Sequence, residues 1–179
     1  MPWKNGGGTT TEIAVHPPGA TAADFAWRVS MAPVTADGWF SEFPGVERSL
    51  AILRGAGIGL TQNGATIALT GASAPHRFPA DVPTYARLND GPILDLNVMT
   101  RRGHFTHRMQ ALQIIADTQL EFSAPTTLVF CPTAALHLSQ GDTNITLPAM
   151  DTAVLEPEPL RITARAPTRV YLIEINPPI

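Results

Sequence analysis

Apolar and polar residues alternate along many short segments of the chain, a pattern typical of β-strands with one buried face. In the segment from Ile58 to Leu69, apolar side chains alternate with small or polar ones on both sides of Asn63-Gly64. Alternation interrupted by Asn-Gly is a strong signal for a β-hairpin. The 17 Pro and 14 Gly predict many short connections. The pattern therefore predicts an all-β protein.

The segment Ser49–Leu69 has a second copy 78 positions downstream, at Thr127–Leu147. Apolar residues match apolar residues, and the triplet Leu60-Thr61-Gln62 returns as Leu138-Ser139-Gln140. Each copy predicts strand, turn, strand, turn, strand. Sheets built from two such units need to protect their edges. We therefore predict two related β-barrel or β-sandwich halves that arose by internal duplication.

The first half is predicted to cover residues 1–103 and the second half residues 104–179. The second half has few polar residues on its strands, which predicts a structural role for it. Residues 109–122 fit either a helix or strands, and the repeat favours strands. Residues 69–94 are interrupted by Pro and by Asn89-Asp90-Gly91-Pro92, which predicts a loop-rich region.

Two distant predicted strands each place polar side chains on one face, Arg28 and Ser30 on the first, Asp95 and Asn97 on the second. One interpretation is that these faces meet solvent, as in any half-exposed antiparallel sheet. The other is a polar lumen that holds a small ligand. Trp27 beside Arg28 favours the lumen, because the hidden face of a solvent-facing strand is rarely so bulky.

Eleven of the twelve basic residues are Arg, and Lys4 is the one Lys. High genomic GC content produces such a bias by itself. The functional interpretation is that several Arg lie at partly buried sites, where a planar fork binds carboxylate through two hydrogen bonds. Arg48 and Arg101 would bring further positive charge to one end of the lumen. The pattern then predicts a pocket for a small carboxylate.

Charge and composition exclude several other classes of protein. A net charge of −3 and a pI near 5.9 argue against a general partner of nucleic acid or anionic membranes. No apolar run approaches the roughly 20 residues that cross a bilayer. The single Cys131 excludes an internal disulfide, and together with the missing signal peptide it favours the cytoplasm.

The sequence predicts no metal, no cofactor and no catalytic nucleophile. The metal-site pattern of His-x-His followed by Glu is missing from the five histidines, which are His16, His76, His104, His107 and His137. Cys131 follows a hydrophobic strand, where a core thiol is the better interpretation. Ser30 and Ser41 have no His and carboxylate partners at recognisable spacing.

A set of motifs in a fixed order over the first 103 residues resembles the HutD/Ves family. These motifs are Pro2–Thr9, Trp27–Ser30, Asp37-Gly38, Phe40-Ser41, Phe43–Gly45, Arg48, Gly91, Asp95–Met99 and Arg101–Gly103. The resemblance implies a bicupin fold, which agrees with the repeat. It also implies an association with bacterial histidine utilisation, and binding of a small acidic intermediate such as urocanate or formylglutamate without established catalysis.

The resemblance implies ten residues for the pocket: Trp3, Lys4, Asn5, Arg28, Ser30, Ser41, Arg48, Asp95, Asn97 and Arg101. Arg28 and Arg48 are expected to hold carboxylate, and Ser30, Asp95 and Asn97 the polar end of the ligand. Trp3 and Phe43 would supply apolar walls. Thr11 departs from the family, which usually has Arg before Glu12, so one positive charge is missing there.

Two other functions remain open at this point. The protein could be a cupin-type isomerase or hydrolase for the same ligands, with Glu12 or Asp95 as general base and Lys4 or an Arg as electrostatic stabiliser. It could also be an interaction module whose barrel is filled by side chains, with no cavity behind Arg28. A homodimer is possible in each case.

Overall fold

The computed structural model describes residues 10–178, which form seventeen β-strands and no helix. The prediction of an all-β protein is thus confirmed. The chain divides into two compact units, the first ending at Thr106 and the second running from His107 to Pro177. This division lies close to the boundary predicted after residue 103.

The first unit consists of two antiparallel sheets. Its strands are β1 (Thr11–His16), β2 (Trp27–Val34), β3 (Gly38–Trp39), β4 (Val46–Arg54), β5 (Ile58–Gln62), β6 (Ala65–Leu69), β7 (His76–Pro79), β8 (Tyr85–Leu88) and β9 (Ile93–Arg101). The five-stranded sheet has the order β1-β2-β9-β4-β7, and the four-stranded sheet has the order β3-β8-β5-β6. Apolar side chains from both sheets, among them Leu50, Ile52, Ile58 and Leu60, form its core.

The second unit repeats this plan with two four-stranded sheets. Its strands are β10 (Thr106–Ile114), β11 (Asp117–Leu120), β12 (Thr126–Cys131), β13 (Leu136–Gln140), β14 (Thr143–Leu147), β15 (Asp151–Leu155), β16 (Leu160–Thr163) and β17 (Thr168–Asn176). The orders are β10-β17-β12-β15 and β11-β16-β13-β14. Apart from β1, every strand of the first unit has a counterpart at the same place in the second.

The repeated hairpins β5-β6 and β13-β14 correspond residue by residue. Ile58 pairs with Leu69 as Leu136 pairs with Leu147, at the spacing found in the sequence. The matched hydroxyl group forms a hydrogen bond across the hairpin in each copy. The Thr61 hydroxyl bonds the Thr66 hydroxyl across the first hairpin at 2.8 Å, and the Ser139 hydroxyl donates to Asn144 Oδ1 across the second at 2.6 Å.

The spacing fails for the first strand of each copy. In β4, Leu50 and Ile52 face the core of their unit. The interval of 78 residues leads to Leu128 and Phe130 in β12, but the residues that face the core there are Val129 and Cys131, each one position later. A β-bulge between Ile52 and Arg54 places an extra residue in β4, and the β12–β17 register is continuous. Because strand side chains alternate, one extra residue exchanges the two faces.

Three strands were missed by the sequence pattern. The region predicted as loop-rich contains β7 and β8, and the turn at Asp37-Gly38 leads into the two-residue strand β3. All three are too short to show a clear alternation. The ambiguous stretch 109–122 contains the second half of β10 and all of β11, as the repeat favoured.

We expect Gly57→Ala to destabilise the protein by about 1–3 kcal/mol, the usual cost of a strained backbone conformation. Gly57 has φ of 112°, and a Cβ there would lie 2.3 Å from the Leu69 carbonyl oxygen. Gly38→Ala is the matched control, because nothing lies within 4 Å of a Cβ at Gly38 and its φ is ordinary. Chemical denaturation measures the stability of both variants. Equal stability would contradict the requirement for glycine at position 57.

Candidate ligand-binding site

A cavity of about 660 Å³ lies in the first unit, against one face of the five-stranded sheet. Side chains of β2, β4 and β9 line it on one side, and the segment from Trp39 to Pro44 lines it on another. The lining residues among 10–178 all belong to this unit. The interaction-module hypothesis expected no cavity behind Arg28, and this expectation was wrong.

The strand register brings the polar residues together. Met99 of β9 lies between Arg28 of β2 and Arg48 of β4, so these side chains form one row across the sheet. Asn97 pairs with Ser30 in the next row of the same face. These polar residues are buried: Arg28 is 5% exposed, Arg48 7%, Asp95 1% and Asn97 2%.

Arg48 is held by a neutral amide. Its Nε and Nη2 both donate to Asn97 Oδ1, at 2.8 and 2.5 Å. Asn97 Nδ2 donates in turn to Asp95 Oδ1 at 2.5 Å, and the backbone N–H of Ala32 donates to the same oxygen at 3.2 Å. The guanidinium also lies over the Phe40 ring, 4.4 Å from its centroid, a cation–π contact.

Burial dominates the acid–base properties of this group. It raises the pKa of Asp95 to about 6, although the charge of Arg48 and the hydrogen bonds from Asn97 and Ala32 oppose the shift. It also lowers the pKa of Arg48 to about 10, against the attraction of Asp95. The site therefore keeps a buried cation at neutral pH next to a carboxyl group that resists ionisation.

Arg28 is held differently. Its Nε donates to Glu12 Oε2 at 3.0 Å, an ion pair whose carboxylate side chain is 35% exposed. Its Nη2 is buried and makes no hydrogen bond within the described part of the chain. A buried guanidinium nitrogen without an acceptor is costly, and an anion in the cavity would supply the missing acceptor.

The remaining predicted site residues divide into three groups. Arg101 lines the cavity but donates to the carbonyls of Ala23 and Phe25, at 3.1 and 3.3 Å, so its guanidinium fixes the segment before β2. Ser41 lines the cavity and is exposed. Trp3, Lys4 and Asn5 lie outside the described residues. A role in ligand binding stays a prediction for all ten.

The aromatic side of the cavity was only partly foreseen. Phe43 lines it, as expected for an apolar wall, and so do Phe40 and Trp39. Trp39 is 63% exposed and meets the Tyr85 ring edge-on. The sequence placed Phe40 in a family motif, but nothing in the pattern showed that its ring would meet Arg48.

The second unit shows that the fold does not require this polar network. Leu50 pairs with Asn97 in the first unit, and its counterpart Val129 pairs with Leu172 in the second. Leu172 and, two residues earlier, Val170 are core residues there. The positions that correspond to Asn97 and Asp95 are therefore apolar in the copy, which points to a function for the polar pair in the first unit.

Residues 10–178 contain neither a cluster suited to a metal ion nor a membrane-spanning helix. No group of three or more His, Cys, Asp or Glu side chains in this range is arranged to hold a metal ion. Likewise, within the same range, no helix is long and apolar enough to cross a membrane.

The repeated strand order and the shared hairpin register define a bicupin, a protein of two cupin-like units, here with a cationic cavity in the first. A cupin 2 conserved barrel domain protein from Leptotrichia buccalis has the same fold, with a TM-score of 0.63 at 13% identity over 98% of this chain and 92% of that one. The chain belongs to the HutD family, whose model matches residues 1–172.

Relatives agree with this assignment. Protein Ves from Citrobacter koseri is 37% identical over 146 residues, which are 80% of this chain and 72% of that protein. The match to Protein Ves from Cronobacter sakazakii is shorter, at 39% identity over 56% of this chain and 54% of that protein. The structure of HutD from Pseudomonas fluorescens SBW25 superposes with a TM-score of 0.83 at 30% identity, covering 100% of this chain and 94% of that one.

We expect Asp95→Asn to stabilise the protein relative to wild type as pH rises. The unfolded carboxyl ionises near its ordinary value of 3.8, whereas the folded one keeps its proton to about pH 6. The wild type therefore loses stability between those values, about 2–3 kcal/mol for a shift of this size. Urea denaturation of both proteins from pH 4 to pH 8 measures the difference.

Asp117→Asn is the control of opposite sign. Asp117 is exposed and its hydrogen bonds to Arg161 hold its pKa below the usual range, so its stabilising effect is present at neutral pH and lost as pH falls. A constant difference between wild type and the Asp95→Asn variant across the pH range would contradict a pKa of Asp95 that is raised by burial.

Proposed function

We propose that this protein binds a small carboxylate metabolite in the cavity of its first unit and does not transform it. Urocanate and formylglutamate are the candidate ligands, since the HutD name associates the family with histidine utilisation. The observation that carries the proposal is the pair of buried guanidinium groups, Arg28 and Arg48, in one row of the sheet. Binding would serve sensing or buffering of the metabolite.

The energetics favour an anionic guest. Burying a cation costs several kcal/mol unless an anion or several acceptors compensate it. Arg28 has Glu12 on one side and a buried Nη2 without an acceptor among residues 10–178. Among residues 10–178, Arg48 contacts the neutral amide of Asn97 and the rings of Phe40 and Phe78. A carboxylate in the cavity would compensate both groups through charged hydrogen bonds.

The rest of the cavity suits a ligand with an apolar or planar body. Phe40, Phe43 and Trp39 offer aromatic surface near the arginines. Ser30 is buried on the cavity face, so its hydroxyl can serve a polar group of the ligand. This combination of a few polar groups in an apolar pocket is usual for small-molecule sites.

One observation favours the enzymatic alternative: the pKa of Asp95, raised to about 6, lies in the range of a general base. Its Oδ1 already accepts two hydrogen bonds, however, and Glu12 is paired with Arg28. Both carboxylates are thus already engaged by neighbouring groups of the protein. Binding without catalysis is therefore the better proposal. Mass spectrometry after incubation with urocanate or formylglutamate, with and without Fe(II), Mn(II) or Zn(II), would reveal turnover.

The proposal extends to setting and partners. We infer a cytoplasmic protein, because the single Cys131 excludes an internal disulfide. We also infer that its partner is the metabolite rather than nucleic acid or membrane, because the chain carries a net charge of −3 and a pI near 5.9. A homodimer is compatible with it, and size-exclusion chromatography with light scattering would determine the oligomeric state.

We expect Arg28→Ala to weaken carboxylate binding by about 1.5–3 kcal/mol, the usual value of a charged hydrogen bond. Isothermal titration calorimetry with urocanate and with formylglutamate measures the affinity of wild type and variant. Arg77→Ala is the matched control, because Arg77 is an exposed arginine that pairs with Glu47 and does not line the cavity.

No heat with either compound on the wild type would remove these two ligands. Equal affinities of the Arg28→Ala and Arg77→Ala variants would show that binding occurs away from the cavity.

A further inference from the structure

The two cavity arginines differ in what holds them, and the difference has a chemical consequence. Glu12 is an anion and compensates Arg28 directly, through Nε. Arg48 donates through the equivalent edge, Nε and Nη2, but to the oxygen of the Asn97 amide. The carboxyl group of this cluster, Asp95, accepts a hydrogen bond from the other end of the Asn97 amide, so the amide lies between it and Arg48.

Asn97 can take only one orientation in this arrangement. Arg48 has donors only, so the amide oxygen must face it. The Nδ2 group then faces Asp95 Oδ1, which also accepts the N–H of Ala32. Asp95 thereby fixes the amide, and the amide fixes the guanidinium in its plane while Phe40 covers its face.

We propose that Asn97 is a positioning residue that separates Arg48 from Asp95, so that the charge of Arg48 stays available to an anionic guest. The inference rests on the proposed function of the cavity and concerns how its affinity is set. A carboxylate in the place of Asn97 would hold Arg48 just as firmly, but it would also neutralise it. If the amide had only a structural role, a carboxylate at position 97 would leave the affinity for the ligand unchanged.

The sharpest test exchanges the two residues in a double variant, Asp95→Asn with Asn97→Asp. Composition, net charge and side-chain size are unchanged, and the amide at position 95 can still accept from Ala32 while donating to position 97. We expect the variant to unfold at the same temperature as wild type or higher. Its affinity for formylglutamate should be roughly 10- to 100-fold weaker, the loss expected when one charged hydrogen bond is removed. Equal affinity would overturn the proposal.

A pH profile supplies a second readout that does not depend on the exchange variant folding. As Asp95 ionises, it partly compensates Arg48 through the amide, so wild-type affinity for formylglutamate should fall several-fold from pH 5 to pH 8. The carboxyl groups of that ligand have ordinary pKa values below 5, so they are largely ionised over this range and their residual titration would raise the affinity with pH instead of lowering it. The single variant Asp95→Asn keeps the hydrogen bonds and should give a flat profile.

Other groups on this face titrate or carry charge as well. They are Glu12 of β1, Arg28 of β2, Arg48 of β4, Arg101 of β9, Glu42 in the segment that lines the cavity, and His76 of β7, whose pKa is lowered by burial. The Asp95→Asn variant retains all of them, so any slope it shares with wild type comes from them. A slope of the same size in both proteins would overturn the inference.

A measurement without ligand separates this inference from the proposed function. In the carbon NMR spectrum, the Asp95 carboxyl of wild type should titrate above its usual range, and the carboxyl introduced at position 97 of the exchange variant below it. If wild type binds neither urocanate nor formylglutamate but the two carboxyls differ in this way, the ligand proposal fails and the separation of charges stands. If the two carboxyls titrate alike, the separation fails.

Discussion

The buried guanidinium of Arg48 is the constraint on which the cavity depends. Removing that charge from water costs several kcal/mol, and the protein offsets the cost with the Asn97 amide and the Phe40 ring instead of a contacting carboxylate. Asp95 is held behind the amide, with its own ionisation disfavoured by burial. The result is a positive site inside an acidic protein, which is what a carboxylate guest requires.

A comparison of the two units shows that the cation depends on residue identity at a face that both units share. In the first unit, Leu50 and Ile52 face the core, and Arg48 faces the same way, into the cavity. The counterpart of Leu50 in the second unit is Val129, so the counterpart of Arg48 is Thr127, which pairs with Glu174 as Arg48 pairs with Met99. The second unit therefore has threonine where the first has the buried arginine. The β-bulge after Ile52 changes the spacing between the copies but leaves these faces matched.

Sequence reasoning succeeded where the signal was local. Alternation alone placed Arg28 with Ser30, and Asp95 with Asn97, because period two is a property of each strand by itself. It could not show that Arg48 would contact Asn97, or that Arg28 would contact Glu12, because those contacts depend on the register between distant strands. Arg101 illustrates the same limit: its position in a motif did not reveal that its guanidinium would be used by backbone carbonyls.

The central claim is that the two arginines form one anion site inside the first unit. A crystal structure of the protein with bound formylglutamate tests it most directly. The account requires a ligand carboxylate within hydrogen-bonding distance of the Nη groups of Arg28 and Arg48, with Asn97 Oδ1 still on Arg48. A ligand bound elsewhere, or a carboxylate of the ligand that contacts neither guanidinium, would contradict it.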